Sequence, residues 1–166
     1  MHYIVLSLEK EDKYSIINHN RSIIPSLKVL RSVNGFNIEE TLYALKKSGL
    51  RLVNLDTWYY GTLANFLTKY FCLEYQIANN IEYMCFLEDD VLLDKSFPEF
   101  VENLAPSFKN SKLNQIRLGN WGEGYITSLA GAKRILDILK KNGINFSIDN
   151  QLRLQCNPEY DVHLDT

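Results

Sequence analysis

Three consecutive acidic residues, Glu88, Asp89 and Asp90, lie between two apolar segments of the chain. Alternate side chains of an extended chain share a face, so Glu88 and Asp90 are predicted to point together while Asp89 points the other way. Two partly buried carboxylates at this spacing either take up a proton or bind a cation, and a divalent ion with oxygen ligands relieves their repulsion most directly. The triplet therefore indicates a Mg²⁺ or Mn²⁺ site.

The same three acids have a simpler interpretation. Acidic turns often follow strands, so the triplet can be a solvated exit from a strand, with Asp89 or Asp90 acting as a cap. Against this, open α/β sheets bind ligands beyond the carboxyl ends of their strands, and the acids follow the most apolar predicted strand. A metal held there can bridge the phosphates of a nucleotide.

A glycine-rich turn, residues 119–124, is the second segment that could bind a ligand. It contains Trp121, and the flanking Gly122 and Gly124 allow the backbone to approach a ligand closely. A sugar ring can stack on Trp121 there; alternatively, Trp121 anchors the turn to the core.

The elements that position these residues alternate between strands and helices. Apolar runs predict strands at 3–8, 27–33, 50–55, 83–87, 115–118 and 125–127. Apolar periodicity and capping signals predict helices at 14–24, 37–49, 62–78, 96–104 and 128–143. This order predicts an α/β fold with a mostly parallel central sheet and helices on both faces.

Capping signals mark the ends of three predicted helices. Asn37 begins one helix and Gly49 ends it, while Ser128 and Gly143 do the same for another. Ser96 and Glu99 form a capping-box pattern, and Pro106 is predicted to close the helix that they open.

Length and composition exclude several classes of function. The 166 residues are typical of one compact domain, predicted here to span 1–166. The formal net charge of -2 and the absence of a basic stretch argue against nucleic-acid binding. No apolar run is long enough to cross a membrane. The apolar N-terminal segment stops at Glu9 without a cleavage site, so we expect it to be a strand and not a signal peptide. We therefore expect a cytoplasmic protein.

Residues 83–94, which run from an apolar strand into Glu88-Asp89-Asp90-Val91, resemble the central motif of glycosyltransferase family 25, the lipopolysaccharide-biosynthesis type. Further segments resemble that family in the same order along the chain: 3–8, 33–35, 61–69, 124–133 and 148–149. In the helix segment Thr62 replaces the family's usual Glu, Ala64-Asn65 replaces Gly-Cys, and Thr68-Lys69 replaces Ser-His.

The resemblance implies a GT-A fold, a nucleotide-sugar donor (a UDP-sugar is favoured) and a glycan or glycoconjugate acceptor. It also implies a metal held by Asp90 and Glu88, with His163, the only late histidine, as a third ligand. Imidazole suits Mn²⁺ better than Mg²⁺. For the donor it implies contacts from residues at the ends of the first strands, from the helix and from the triplet: Ser7, Leu8, Asn34, Gly35, Asn65, Lys69 and Asp89.

An inverting transferase of this kind needs a base for the acceptor hydroxyl, and Asp149 is the candidate, with Asp161 as the weaker alternative. Asp149 can instead cap a C-terminal helix. Configuration can also be retained on this fold, and we expect a monomer or a weak oligomer.

Two other classes of function are compatible with the acids. One is a binding or scaffold domain of GT-A fold that takes up nucleotide without transfer. The other is a Mg²⁺-dependent phosphohydrolase or nucleotidyltransferase, for which neither the nucleophile motif nor a Walker-type loop is found.

Overall fold

The computed structural model describes residues 1–53, 59–109, 113–119, 122–145, 147–156 and 163–164. Its sheet has six strands: β1 (His2–Ser7), β2 (Lys28–Arg31), β3 (Tyr83–Glu88), β4 (Gln115–Leu118), β5 (Gly124–Ser128) and β6 (His163–Leu164). The strand order is β2-β1-β3-β5-β4-β6. β1 runs parallel to β2 and β3, β5 runs antiparallel to β3 and β4, and β6 runs parallel to β4. The predicted α/β class, with a sheet that is parallel at its centre, is confirmed.

Helices pack on both faces of this sheet. Their bounds are α1 (Tyr14–Ile23), α2 (Ile38–Ser48), α3 (Tyr60–Ala78), α4 (Phe97–Leu104), α5 (Leu129–Asn142) and α6 (Ile148–Gln151). Short 3-10 turns lie at Glu11–Lys13 and Ala105–Phe108, and a π turn follows α6 at Leu152–Cys156. In the described part of the chain, no helix is both long and apolar enough to cross a membrane.

The core has two layers because alternate residues of β1 and β3 point to opposite faces. On one face Ile4 and Phe86 pack against apolar residues of α2, α3 and α5. On the other face Val5 and Leu87 pack against α1 and α4. β1 and β3 are therefore buried on both faces, and this explains their continuous apolar sequences.

The predicted helix caps of α2 and α5 are confirmed. The Asn37 side chain accepts a hydrogen bond from the Glu40 amide, and Gly49 ends α2 with φ of 67°. Ser128 Oγ accepts from the Gly131 amide, and Gly143 ends α5 with φ of 72°. These local signals were sufficient because each cap satisfies a backbone group of its own helix.

One capping prediction was wrong. Ser96 makes no capping hydrogen bond to α4; its backbone amide and its hydroxyl both donate to Asp94 Oδ1 at 2.8 Å. A competing local hydrogen-bonding pattern thus replaced the one that the sequence suggested. The end of α4 at Leu104 is as predicted, and Pro106 lies in the 3-10 turn that follows it.

The predicted strand over residues 50–55 is wrong in its described part. There the chain forms a single bridge, between Leu52 and Ile144, and no strand. Residues 54–55 lie outside the described residues.

Candidate active site at the carboxyl ends of β1 and β3

The carboxyl ends of the parallel strands meet at one edge of the sheet. β1 ends there at Ser7, β2 at Arg31 and β3 at Glu88. Because β5 runs in the opposite direction, it begins at the same edge with Gly124. The acidic triplet and the glycine-rich turn, distant in sequence, are thereby brought together as expected for ligand binding at a sheet edge.

A first cavity, of about 300 Å³, opens at this edge on the α3 side of the sheet. The loop after β2 forms one wall and the first turns of α3 the other. The two walls are so close that a Cβ atom added at Gly35 would lie 2.6 Å from the Gly61 Cα. Thr68 Oγ1 accepts from the Val33 amide at 2.9 Å and fixes the loop against the helix. The remaining lining includes Leu6, Leu8, Asn65, Lys69, Glu88 and Asp89.

The acidic triplet does not keep the alternation that was predicted for it. β3 ends at Glu88, and Asp89 and Asp90 lie in a turn in which the Val91 amide bonds to the Glu88 carbonyl at 3.4 Å. Glu88 and Asp89 consequently line the first cavity together, whereas Asp90 lines a different one. The prediction that Glu88 and Asp90 share a face was wrong because β3 ends at Glu88, two residues before the end that the alternation requires.

The partners of Glu88 and Asp89 hold both carboxylates in defined positions. Glu88 Oε1 accepts from Asn65 Nδ2 at 3.2 Å and lies 3.0 Å from Lys69 Nζ. Asp89 Oδ2 accepts from Ser7 Oγ at 2.6 Å, and Lys13 Nζ lies 4.0 Å from its other oxygen. Asp89 is therefore more than a solvated turn residue, because its hydrogen bond from Ser7 connects it to the end of β1.

Asp90 differs from its neighbours. Its side chain is exposed, and no hydrogen bond or ion pair joins it to another described residue. It lines a second cavity, of about 660 Å³, between the turn after β3, the start of α4 and the start of β5. Apolar residues such as Phe97 and Phe100 form much of this cavity, with Asp94 and Glu123 among its polar members.

Asp149 lies at the same sheet edge as the triplet. It is the second residue of α6, and the residue before the helix is Ser147, so Asp149 is not the helix cap. Its Oδ1 accepts from Lys69 Nζ at 2.8 Å and from the Tyr125 hydroxyl at 2.6 Å. A side chain at Gly122 would lie 2.5 Å from this oxygen, which explains the glycine at that position of the turn.

Sequence reasoning did not find Tyr125. Its side chain is fully buried and stacks on Phe86 with ring centroids 5.4 Å apart, so it has the pattern of an ordinary core residue. Only the packing of α6 against β5 gives its hydroxyl a carboxylate partner. No signal in the sequence marks this contact.

The residues predicted to contact the sugar donor or the substrate do not all lie at the first cavity. Ser7, Leu8, Gly35, Asn65, Lys69 and Asp89 lie at or beside the first cavity. Asn34 does not line it, and its side chain accepts instead from the Phe36 amide in a local turn. Trp121 lies outside the described residues, and Gly124 begins β5 at the rim of the second cavity.

Among the described residues, no three His, Cys, Asp or Glu side chains are grouped closely enough to share a metal ion. Two predicted ligands, Glu88 and Asp90, line different cavities, and the side chain of the third, His163, lies outside the described residues. The described residues thus fit an ion shared with a bound ligand better than one held by the protein alone, since Mg²⁺ commonly takes one or two carboxylates together with substrate phosphates.

The family model of Glycosyltransferase family 25 (LPS biosynthesis protein) matches residues 2–123. The chain belongs to glycosyltransferase family 25. The matched region contains β1 to β4, the first cavity and the acidic triplet, and it ends before Tyr125 and Asp149. The predicted family and the predicted class of enzyme, a glycosyltransferase, are therefore confirmed, while the roles of the individual site residues remain predictions.

A solved structure resembles the chain as well. It is the crystal structure of a glycosyltransferase involved in the glycosylation of the major capsid of PBCV-1, with a TM-score of 0.49 and 12% sequence identity. The alignment covers 98% of this chain and 80% of that one. No curated protein matches the sequence.

Proposed function

We propose that this family 25 enzyme transfers a sugar from a nucleotide-diphosphate sugar, with a UDP-sugar favoured, to a hydroxyl group of a glycan acceptor. The observation that supports this best is the position of the first cavity. It lies beyond the carboxyl ends of β1, β2 and β3 and beside the Lys69–Asp149 ion pair, where sheets of this kind bind their ligands.

The transfer step requires a proton acceptor if configuration is inverted. The acceptor oxygen forms a bond to the anomeric carbon, the bond from that carbon to the diphosphate breaks, and its electron pair leaves with the diphosphate. The hydroxyl proton passes to a base, for which Asp149 is the candidate. Both hydrogen bonds to Asp149 reach Oδ1, so Oδ2 is the oxygen available to the acceptor, and the side chain is 27% exposed.

Charge favours a cation at this edge when donor binds. Among the described residues, the carboxylates of Glu88, Asp89 and Asp149 form ion pairs with Lys13 and Lys69, and Asp90 forms none. A diphosphate adds further negative charge. Asp90, whose side chain has no partner among the described residues, would hold Mn²⁺ or Mg²⁺ together with the phosphates of the sugar donor, and Glu88, which lines the first cavity, would reach the ion through water or contact the donor itself. Such an ion neutralises the charge that develops on the departing diphosphate.

A thermal-shift screen against UDP, GDP, CMP and ADP, each with Mn²⁺ and with chelator, tests donor binding and metal dependence together. A ligand that binds only the folded state raises the melting temperature, so we expect one nucleoside diphosphate to stabilise the protein with Mn²⁺ and not with chelator. Failure of every nucleotide in both conditions would exclude the proposed donor class.

Asp90→Asn should abolish the Mn²⁺-dependent rise in melting temperature that the nucleotide causes. Without ligand, the free energy of unfolding should stay within about 1 kcal/mol of wild type, because Asp90 is an exposed turn residue. Asp137→Asn, which removes an exposed acid on α5, is the matched control and should change neither quantity. A wild-type shift in Asp90→Asn would remove Asp90 from the metal site.

A further inference from the structure

Lys69 is a buried cation in the middle of α3, with 1% of its surface exposed. Its ammonium group donates to Asp149 Oδ1 at 2.8 Å and to the Gly122 carbonyl at 3.2 Å, and it forms an ion pair with Glu88 Oε1 at 3.0 Å. It also lies 5.1 Å from the centre of the Tyr125 ring. A buried ammonium is costly unless it is paired and hydrogen-bonded, and here its surroundings meet both conditions.

Two hydrogen bonds and one ion pair thus surround an ammonium group that is almost completely buried. A direct contact between Lys69 and a phosphate of the sugar donor, which the sequence suggested, is therefore not what this geometry favours. Instead, Lys69 joins Glu88, which lines the first cavity, to Asp149 and to the turn at Gly122.

The two carboxylates are held in a similar manner. Oε1 of Glu88 accepts a hydrogen bond from Asn65 and forms an ion pair with Lys69, and Oδ1 of Asp149 accepts hydrogen bonds from Tyr125 and Lys69. Among the described residues, the contacts of each acid therefore converge on one oxygen, and the other oxygen remains for a ligand.

We propose that Lys69 is a positioning residue for glycosyl transfer, which fixes Asp149 through Oδ1 so that Oδ2 alone meets the acceptor hydroxyl, and which ties that carboxylate to Glu88 of the first cavity. This inference rests on the proposed function. It adds a residue that departs from the family pattern, in which Ser-His occupies the place of Thr68-Lys69.

Lys69→Met keeps the length of the side chain and removes its charge. We expect kcat to fall about 100-fold or more, since small displacements of a reacting group have effects of this size, while the affinity for the nucleoside diphosphate changes much less. Lys133→Met, an exposed lysine of α5, is the matched control and should keep wild-type kinetics. Equal kcat in Lys69→Met and wild type would overturn the inference and leave the proposed function intact.

Chemical rescue separates a positioning role from a general loss of structure. In Lys69→Ala the missing atoms correspond to propylammonium, and this ion should restore a measurable part of kcat, whereas 1-propanol should not. Equal rescue by both compounds, or rescue by neither in a folded variant, would count against the ammonium as the required group.

Nitrogen-detected NMR of lysine ammonium groups tests the contact without any activity. We expect one slowly exchanging ammonium signal in the wild-type chain that is lost in Lys69→Met and shifts in Asp149→Asn. Its absence from wild type, or its indifference to Asp149→Asn, would overturn the inference directly. Absence of transfer with every donor would instead overturn the proposed function, and the role of Lys69 in transfer with it, while the NMR signal would still report the pairing.

Discussion

At the scale of single residues, Glu88 and Asp149 each use one carboxylate oxygen for contacts with described protein groups and leave the other oxygen for a ligand. Asp149 illustrates this, because both of its hydrogen bonds converge on Oδ1. The same residue could have been a helix cap from sequence alone. Its place as the second residue of α6, behind Ser147, directs its side chain to Lys69 and Tyr125 instead.

Asp149→Asn should lower transfer about 100-fold or more while donor affinity changes little, because an amide cannot accept the proton of the acceptor hydroxyl. Steady-state kinetics with calorimetric donor binding measures both quantities. Equal losses in kcat and in donor affinity would assign Asp149 to binding or to structure. Asp137→Asn again serves as the control.

The residues of this site differ in how far sequence could reveal them. The triplet was found because acids between apolar runs are unusual, and its position at a strand end followed from the strand pattern. Lys69 was expected only as a phosphate partner, because its burial depends on Asp149, 80 positions later in the chain. Such a tertiary ion pair leaves no periodic or local signal.

At the scale of elements, the loop between β2 and α2 forms the outer wall of the first cavity. Arg31 donates two hydrogen bonds to Glu40, at 2.6 and 3.0 Å, and Glu40 Oε1 also accepts from the Asn34 amide at 3.0 Å. The bonds from Arg31 and Asn34 lower the pKa of the Glu40 carboxyl below its ordinary value. A carboxyl whose pKa is lowered by folding stabilises the fold above its unfolded pKa, and this contribution is lost as pH falls through the folded pKa.

Glu40→Gln should therefore destabilise the protein at pH 7 and have little effect at a pH low enough to protonate Glu40 in the folded wild type. The difference at pH 7 should be below about 1 kcal/mol, because the pair is largely open to solvent. Urea unfolding of both proteins at the two pH values measures it. A difference of the same size at both pH values would show that charge is not the cause.

Sequence signals served the elements unevenly. The ends of α2 and α5 were predicted correctly because Asn37, Gly49, Ser128 and Gly143 act on the backbone of their own helices. Ser96 precedes α4 as predicted, but its hydroxyl donates to Asp94 and does not accept from the helix. Residues 50–53 have a strand-like composition, but they form only a single β-bridge, between Leu52 and Ile144.

At the scale of the whole molecule, the two middle strands of the parallel region separate two core layers. Ile4, Val5, Cys85 and Phe86 are at most 1% exposed, and β1 and β3 are each paired on both edges. These strands connect the cavity to most of the buried apolar surface. The order of strands and helices predicted this arrangement, whereas the antiparallel insertion of β5 beside β3 required the tertiary structure.

Native-state hydrogen exchange should show the slowest amides in the middle of β1 and β3, with protection close to the global free energy of unfolding. Amides of β2, at the sheet edge, should exchange faster. Exchange resolved by NMR checks this order. Slower exchange in β2 than in β1 would contradict the layered core described above.

The shared ammonium also constrains how this enzyme can diverge. Loss of the ammonium at position 69 leaves Glu88 and Asp149 without their shared counterpart, so a lineage can pass through such a change only if at least one of the two acids is altered soon afterwards. Positions 69, 88 and 149 are therefore expected to vary together among homologues. Homologues that carry histidine in place of Lys69 are where compensating changes in the two acids should first be found.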